Sequence, residues 1–301
     1  MKRYVRSFLG LALTLLAVPA LAALNVFASV PEWAALAEEL GGDQAKVYAA
    51  TNAWQDPHHV EAKPSLIART RSADLVIATG AELEVGWLPL VLRQAGNPRV
   101  QPGQPGYLEA TAFVSLLEKP LRLDRADGDV HPAGNPHIQL DPRNIARVAA
   151  PLAARLADLD PANAAYYQAP HKAFAERWSK AVAQWEKQAA SLRATAIVVH
   201  HNAFAYLNAW LGLQQVAALE PKPGIEPTTQ HLSAVLALLQ RQPARMVIRA
   251  AYQSDRASQW IAERAKIHTV VLPFAVGGDD SAKDLFGLFD DTIQRLQKGS
   301  Q

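Results

Sequence analysis

Residues 24–50 read LNVFASVPEWAALAEELGGDQAKVYAA and contain a short apolar run, a helical stretch and a second apolar run. The pattern predicts a strand over 24–30 and a helix over 31–40 that begins with proline and ends before two glycines. A second strand is predicted over 46–50. Because a helix separates two short and mostly apolar strands, this stretch indicates a parallel sheet covered on both faces.

The same alternation continues along the chain. Further strands are predicted over 74–79, 196–200, 213–219, 245–250 and 268–274. Further helices are predicted over 64–71, 82–94, 203–211, 229–241, 254–266 and 281–297. Residues 96–136 are rich in glycine and proline, which predicts loop and short strand.

One predicted helix is much longer than the others. Asp160-Pro161 is a typical helix start, and residues 162–192 contain no glycine, although Pro170 is expected to kink their first third. The predicted fold class is therefore α/β, with two lobes that each contain a mainly parallel sheet flanked by helices, joined by one long connecting helix. The expected boundaries are an N-terminal lobe over 23–159, the helix over 160–192 and a C-terminal lobe over 193–301.

The first residues have the pattern of a signal peptide. Lys2, Arg3 and Arg6 precede an apolar run over 8–18, and residues 20–22 read Ala-Leu-Ala, a cleavage signal. We therefore expect residues 1–22 to be removed on export, which predicts a periplasmic protein. No cysteine follows the cleavage signal, so lipidation is not expected.

The charge balance does not favour nucleic-acid binding. Three of the 30 lysines and arginines and none of the 28 acidic residues lie in the predicted signal peptide, which leaves 27 basic against 28 acidic residues. Such a near-neutral chain lacks the basic excess of nucleic-acid-binding proteins. The sequence has no cysteine, so neither disulfides nor thiolate metal ligands are available.

Three of the histidine-containing segments indicate a metal site. They are Asp56-Pro57-His58-His59, Asn135-Pro136-His137 and Val199-His200-His201-Asn202. Each lies after a predicted strand or at its end, where ligands bind in open α/β sheets. Neutral imidazole is the commonest protein ligand of zinc, and three or four such ligands complete a tetrahedral site. Since adjacent side chains in an extended chain point in opposite directions, only one histidine of each pair is expected to face the metal.

At these segments the chain resembles the ZnuA-like periplasmic substrate-binding proteins of zinc and manganese ABC transporters. The loop at residues 56–61 is similar to the family's Asp-Pro-His-x-Tyr-Glu-Pro, and residues 136–142 are similar to its Pro-His-x-Trp-Leu-Asp-Pro. Residues 201–206 resemble its His-Asp-Ala-Phe-x-Tyr. The resemblance implies that His58, His137 and His201 are the metal ligands, with His59 and His200 beside them.

The fourth ligand departs from the family pattern. The family usually supplies an aspartate after its last strand, whereas Phe274 occupies the matching position here. We predict Asp279, which follows two glycines, as the fourth ligand. The alternatives are Asp280, His131, Glu61 or water, and either aspartate would also suit the start of a helix.

The resemblance implies a monomeric binding protein rather than an enzyme. It would capture a metal in the cleft between its lobes and deliver it to a membrane permease driven by a cytoplasmic ATPase. Three imidazoles with at most one carboxylate favour zinc over manganese, although copper(II) would also bind such a site tightly. The alternatives are a metal-binding adhesin and a zinc-dependent hydrolase with Glu61 as general base. No H-E-x-x-H motif supports a hydrolase.

Overall fold

The first sheet is built from the segment that opens the chain. A computed structural model describes residues 23–120 and 128–301, so the predicted signal peptide lies outside the described residues. The strands are β1 Leu24–Ala28, β2 Ala45–Ala49, β3 Leu75–Ala78 and β4 Tyr107–Glu109. They are all parallel, in the order β2-β1-β3-β4. The helices of this lobe are α1 Pro31–Gly41, α2 Pro64–Arg71, α3 Leu88–Ala95 and α4 Pro142–Leu159.

The second sheet repeats this arrangement. Its strands are β5 Ala196–Val199, β6 Gln214–Ala218, β7 Met246–Ala250 and β8 His268–Leu272, all parallel and in the order β6-β5-β7-β8. Its helices are α6 Ala205–Leu211, α7 Thr229–Leu239, α8 Arg256–Ala265 and α9 Leu285–Ser300. The predicted α/β class with two parallel sheets is confirmed. No helix in the described part of the chain is both long and apolar enough to span a membrane.

The predicted helix over 162–192 is shorter in the structure. A 3-10 turn over Pro161–Asn163 comes first, then α5 over Gln168–Gln188, then a second 3-10 turn over Ala189–Leu192. The Asp160 carboxylate accepts hydrogen bonds from the Asn163 amide and the Tyr167 hydroxyl, which holds the chain in a turn before α5. Pro170 consequently lies in the first turn of α5. The backbone N–H groups of a first turn have no partner within the helix, so a proline there does not disrupt the helical hydrogen bonds. The predicted kink is therefore wrong.

Helix α5 packs against elements of both lobes. The Trp178 indole donates to the backbone oxygen of Pro142, at the start of α4, over 2.8 Å. The Trp185 indole donates to Asp290 in α9 over 2.6 Å. The buried core around these rings continues without a break into both sheets. The lobes are therefore joined by a packed interior, and the carboxyl ends of their strands face a shared cleft.

Two other predicted helices begin later than expected. The helix predicted from residue 82 starts at Leu88, because Ala81 and Glu82 have positive φ angles of 48° and 65° that no α-helix accommodates. The last helix starts at Leu285 rather than 281. Asp284 is its N-cap, and its side chain accepts a hydrogen bond from the Gly287 N–H.

Candidate metal site

Three buried histidines from different parts of the chain meet in the cleft. One ring nitrogen from each of His58, His137 and His201 lies within 4.8 Å of the others. The ring centroids are 5.1 Å apart for His58 and His137, and 5.6 Å apart for the two pairs that include His201. His58 follows β2, His137 follows β4 and His201 follows β5. The two sheets thus bring together the three histidines that the sequence singled out.

Asp56 orients the ring of His58. Its Oδ1 accepts a hydrogen bond from the backbone N–H of His58 over 3.0 Å and lies 2.8 Å from His58 Nδ1. Burial alone would raise the pKa of the Asp56 carboxyl, but its hydrogen bonds to His58 and the charge of that ring hold the pKa below the ordinary 3.8. Because Nδ1 is engaged in this way, Nε2 of His58 is the atom available to a metal.

Glu220 orients His201 from the second lobe. Its Oε2 lies 2.7 Å from His201 Nδ1 and also accepts a hydrogen bond from the backbone N–H of Gly224 over 2.8 Å. Glu220 was not among the residues predicted from the sequence. Its position in the sequence could have indicated it, because Glu220 directly follows the strand predicted over 213–219. It therefore lies at the carboxyl end of a strand, where ligands bind in open α/β sheets.

His137 is 1% exposed. Neither of its ring nitrogens has a hydrogen-bond partner among the residues that the structure describes, so no described side chain orients the ring. Burial lowers the pKa of His137 well below 6.5, and the neighbouring His58 and His201 lower it further. The ring of Phe274 packs against its edge with centroids 5.9 Å apart. A buried imidazole with two unpartnered nitrogens is suited to a metal ion, which would take up one of them.

His131 lies beside the group of three. Its Nε2 is 3.3 Å from Nε2 of His58, and the ring centroids are 5.3 Å apart. Burial and the adjacent His58 lower the pKa of His131 to about 4. His131 is not a member of the group whose nitrogens all lie within 4.8 Å of one another. Its contact with the group is the one between its Nε2 and Nε2 of His58.

The structure does not bring the acidic candidates into this group. Oδ2 of Asp279 lies 2.7 Å from Nη2 of Arg295, and its Oδ1 accepts a hydrogen bond from the Ser281 N–H. Asp280 and Glu61 are exposed. Asp279 therefore shapes the turn before α9 and pairs with Arg295, whereas its role as a metal ligand remains a prediction.

The second histidines of the two pairs point away from the group. His59 is exposed, and its Nε2 lies 3.4 Å from Oδ2 of Asp129. His200 is buried and lines a separate cavity with Glu226 and Trp260. One histidine of each pair thus faces the group, although residues 57–58 lie in a turn rather than in an extended segment.

The site opens into a cavity of about 430 Å³ between the lobes. His131, His137 and His201 line it, together with Asn135 and Asn202. Hydrogen bonds connect the two lobes beside the cavity. The side-chain amide of Asn135 donates to the backbone oxygen of Asn202 over 2.8 Å. The Tyr206 hydroxyl donates to the backbone oxygen of Asn135 over 2.7 Å.

Comparison with known proteins identifies a family that covers nearly the whole described chain. Residues 26–299 match the family described as periplasmic zinc-uptake complex component A, ZnuA. The fold is similar to that in a crystal structure of ZnuA, with a TM-score of 0.78 and 23% sequence identity. The match covers 93% of this chain and 100% of that chain.

Three relatives whose names describe metal uptake or metal transport are 24–28% identical to this chain. The chain is 28% identical over 157 residues to the metal ABC transporter substrate-binding lipoprotein ScbA of Streptococcus cristatus, which is 52% of this chain and 48% of that protein. It is 24% identical over 212 residues to the high-affinity zinc uptake system protein ZnuA of Bacillus subtilis, covering 69% and 63% of the two chains. It is 25% identical over 214 residues to the manganese ABC transporter substrate-binding lipoprotein PsaA of Streptococcus pneumoniae, covering 68% and 65%. The chain thus spans between about half and just under two thirds of the length of these three relatives.

Proposed function

This chain belongs to the ZnuA family of periplasmic zinc-uptake components, and we propose that it captures a divalent metal ion for import. The ion would bind to His58, His137 and His201 in the cleft between the lobes. The observation that carries the proposal is the convergence of three buried imidazoles, with one nitrogen of each within 4.8 Å of the others. Three neutral imidazoles in such a cluster are a typical donor set for a transition metal.

Zinc is the metal we propose. The three donors are nitrogens, and the carboxylates next to them, Asp56 and Glu220, are engaged with His58 and His201. Manganese prefers more oxygen ligands, whereas zinc accepts three nitrogens and a fourth donor in a tetrahedron. The names of the relatives include both a zinc and a manganese protein, so the donor set of this chain is the stronger argument.

Delivery would be to a membrane permease with a cytoplasmic ATPase, and we propose that the protein acts as a periplasmic monomer. The relatives named as ABC transporter substrate-binding proteins support this role. We further propose residues 23–159 and 193–301 as the two lobes, with 160–192 between them. In support of these boundaries, β1–β4 lie in the first range, β5–β8 lie in the second, and α5 lies within the segment between.

The proposal is for a binding protein without enzymatic activity. A zinc hydrolase would need a general base close to the metal-bound water. Glu61, the candidate for that role, is exposed and is not a member of the histidine group. A screen of ester, amide and phosphate substrates, with and without zinc, tests this point. Zinc-dependent turnover by the purified protein would favour the hydrolase instead.

The decisive experiment is a metal titration of the protein purified after export from the full-length chain. After the protein is stripped with a chelator, zinc and manganese are titrated separately, and bound metal is counted by mass spectrometry. We expect one tightly bound zinc per chain, weaker manganese binding, and strong loss of zinc affinity in His58→Ala, His137→Ala and His201→Ala. His59→Ala is the matched control, because it removes an exposed imidazole next to the site. Zinc affinity that survives all three ligand substitutions would refute the assignment.

A further inference from the structure

We propose that His131 is the fourth ligand, so that the metal is held by four imidazoles rather than by three imidazoles and a carboxylate. This inference rests on the proposed function and extends it to the selection of the metal. It also replaces Asp279, the fourth ligand that we expected from the sequence.

The spacing of two nitrogen atoms is the first support. Zn–N bonds of about 2.0–2.1 Å in a tetrahedral site place neighbouring donor atoms about 3.3–3.4 Å apart. Nε2 of His131 and Nε2 of His58 are 3.3 Å apart. Since Nδ1 of His58 is engaged by Asp56, its Nε2 is the atom that would bind the metal, and Nε2 of His131 lies beside it. His131 is outside the group of three in this structure, so its ring would move toward His137 and His201 when the metal binds.

The segment that carries His131 is held against the second lobe. The backbone N–H of Asp129 donates to the backbone oxygen of Pro223 over 2.9 Å. The backbone N–H of Gly134 donates to the oxygen of His131 over 3.1 Å, in a turn where Gly134 has a φ of 124°. A Cβ atom at Gly134 would lie 2.6 Å from the backbone oxygen of Leu117, so only glycine fits there. These contacts hold the backbone around His131 at the mouth of the site.

Other donors are engaged elsewhere or lie away from the site. Asp279 is paired with Arg295, and the position after β8 where the family pattern has an aspartate holds Phe274, which is 4% exposed. Among the residues that the structure describes, Asp56 and Glu220 are the carboxylates in contact with the three histidines, and each binds the Nδ1 of its histidine. His131, whose Nε2 lies 3.3 Å from Nε2 of His58, is the donor that we propose in their place.

A site of four imidazoles would reject manganese more strongly than the usual site with a carboxylate. Imidazole suits zinc and copper, whereas manganese is bound better by carboxylate and other oxygen ligands. His131 would thus act as a specificity-determining residue of this chain.

The test combines zinc affinity with a direct count of the ligands. Zinc affinity is measured by competition with a coloured chelator for the wild type and for His131→Ala, His131→Gln, Asp279→Ala and His59→Ala. X-ray absorption of the zinc-loaded wild type counts coordinated imidazoles without relying on any variant. We expect four imidazoles, at least about tenfold weaker zinc binding in both His131 variants, and unchanged binding in Asp279→Ala and His59→Ala.

The outcomes separate this inference from the proposed function. If the wild type binds zinc tightly and His137→Ala abolishes binding, but both His131 variants match His59→Ala and three imidazoles are counted, the fourth-ligand proposal is wrong and the function stands. If Asp279→Ala weakens binding while the His131 variants do not, Asp279 is the fourth ligand. If the wild type binds no zinc tightly, or His137→Ala leaves binding unchanged, the proposed function itself fails.

Discussion

Oε2 of Glu220 lies 2.7 Å from Nδ1 of His201, so a carboxylate from one strand end holds an imidazole from the neighbouring strand end. The first lobe has the equivalent pair, with Oδ1 of Asp56 2.8 Å from Nδ1 of His58. Each lobe therefore contributes one imidazole whose tautomer and ring orientation are fixed by a carboxylate. In both rings Nε2 is the nitrogen that does not contact the carboxylate, and it is the atom that would bind a metal.

The Glu220 contact predicts an effect on affinity without loss of a ligand. We expect Glu220→Gln to weaken zinc binding about 10–100-fold, because the amide no longer fixes the His201 ring with a charged acceptor. Competition with a chelator measures the change. Glu226→Gln is the matched control, since Glu226 lies in the same loop but lines the separate cavity with His200. Equal affinities for the two variants would contradict an orienting role.

The sequence predicted the sheets and the histidine group for the same physical reason. Short apolar strands separated by helices form parallel sheets, and the carboxyl ends of parallel strands lie at one edge. His58, His137 and His201 follow such strand ends, so their convergence did not depend on exact element boundaries. The strands predicted from the sequence are present as β1–β3 and β5–β8 and are all parallel, and the three rings face one cleft at their carboxyl ends.

Features that depend on contacts between distant residues were not predicted. The proximity of His131 to His58 joins positions 73 residues apart through a loop whose path follows from contacts with the second lobe. The ion pair between Asp279 and Arg295 in α9 was not predicted either, and the role of Asp279 as a metal ligand stays a prediction. The length of α5 was overestimated because composition alone does not reveal the turn that Asp160 stabilises.

The second prediction concerns Phe274, which occupies the position after β8 where the family pattern has an aspartate. Phe274 has a φ of 66° and packs against His137, and aspartate tolerates this backbone conformation better than phenylalanine does. We expect Phe274→Asp to strengthen manganese binding about tenfold, because it places an oxygen donor next to the imidazoles. Titration with manganese measures the gain.

Phe274→Asn separates charge from shape in that experiment. It has nearly the same shape as the aspartate variant but lacks the charged oxygens that manganese prefers. Both variants remove a buried ring that also packs against Phe204 and Tyr252, so both should lower stability to a similar extent. Equal manganese affinity in the two variants would show that position 274 does not reach the metal.

The third prediction concerns removal of the metal. A ligand that binds only the folded protein stabilises it by about 2.7 kcal/mol at a concentration 100-fold above its dissociation constant. We expect zinc to raise the urea midpoint of the stripped protein, and a chelator to reverse the rise. In His137→Ala the zinc-dependent rise should disappear, whereas in His59→Ala it should remain. A rise of equal size in both variants would place the stabilising zinc elsewhere.

The last prediction concerns a buried carboxyl at the contact between the lobes. Glu32 in α1 is 1% exposed, and within residues 23–120 and 128–301 its Oε1 has no hydrogen-bond partner. Burial raises the pKa of Glu32 from 4.5 to about 7, although its own backbone N–H and that of Val276, in the second lobe, counteract part of this rise. The folded protein therefore retains a proton that the unfolded chain has lost between these two pH values.

The proton retained on Glu32 determines how the free energy of unfolding changes with pH. The stability that protonated Glu32 contributes is complete below pH 4.5 and is lost as the pH rises to 7, by about 3 kcal/mol in all. Glu32→Gln cannot ionise, so its free energy of unfolding should exceed that of the wild type at pH 8 and approach it at pH 5. Urea unfolding of both proteins from pH 5 to 9 measures the difference. Glu38→Gln, on the exposed face of the same helix, should follow the wild type at every pH. Parallel curves for Glu32→Gln and the wild type would mean that Glu32 does not titrate in this range.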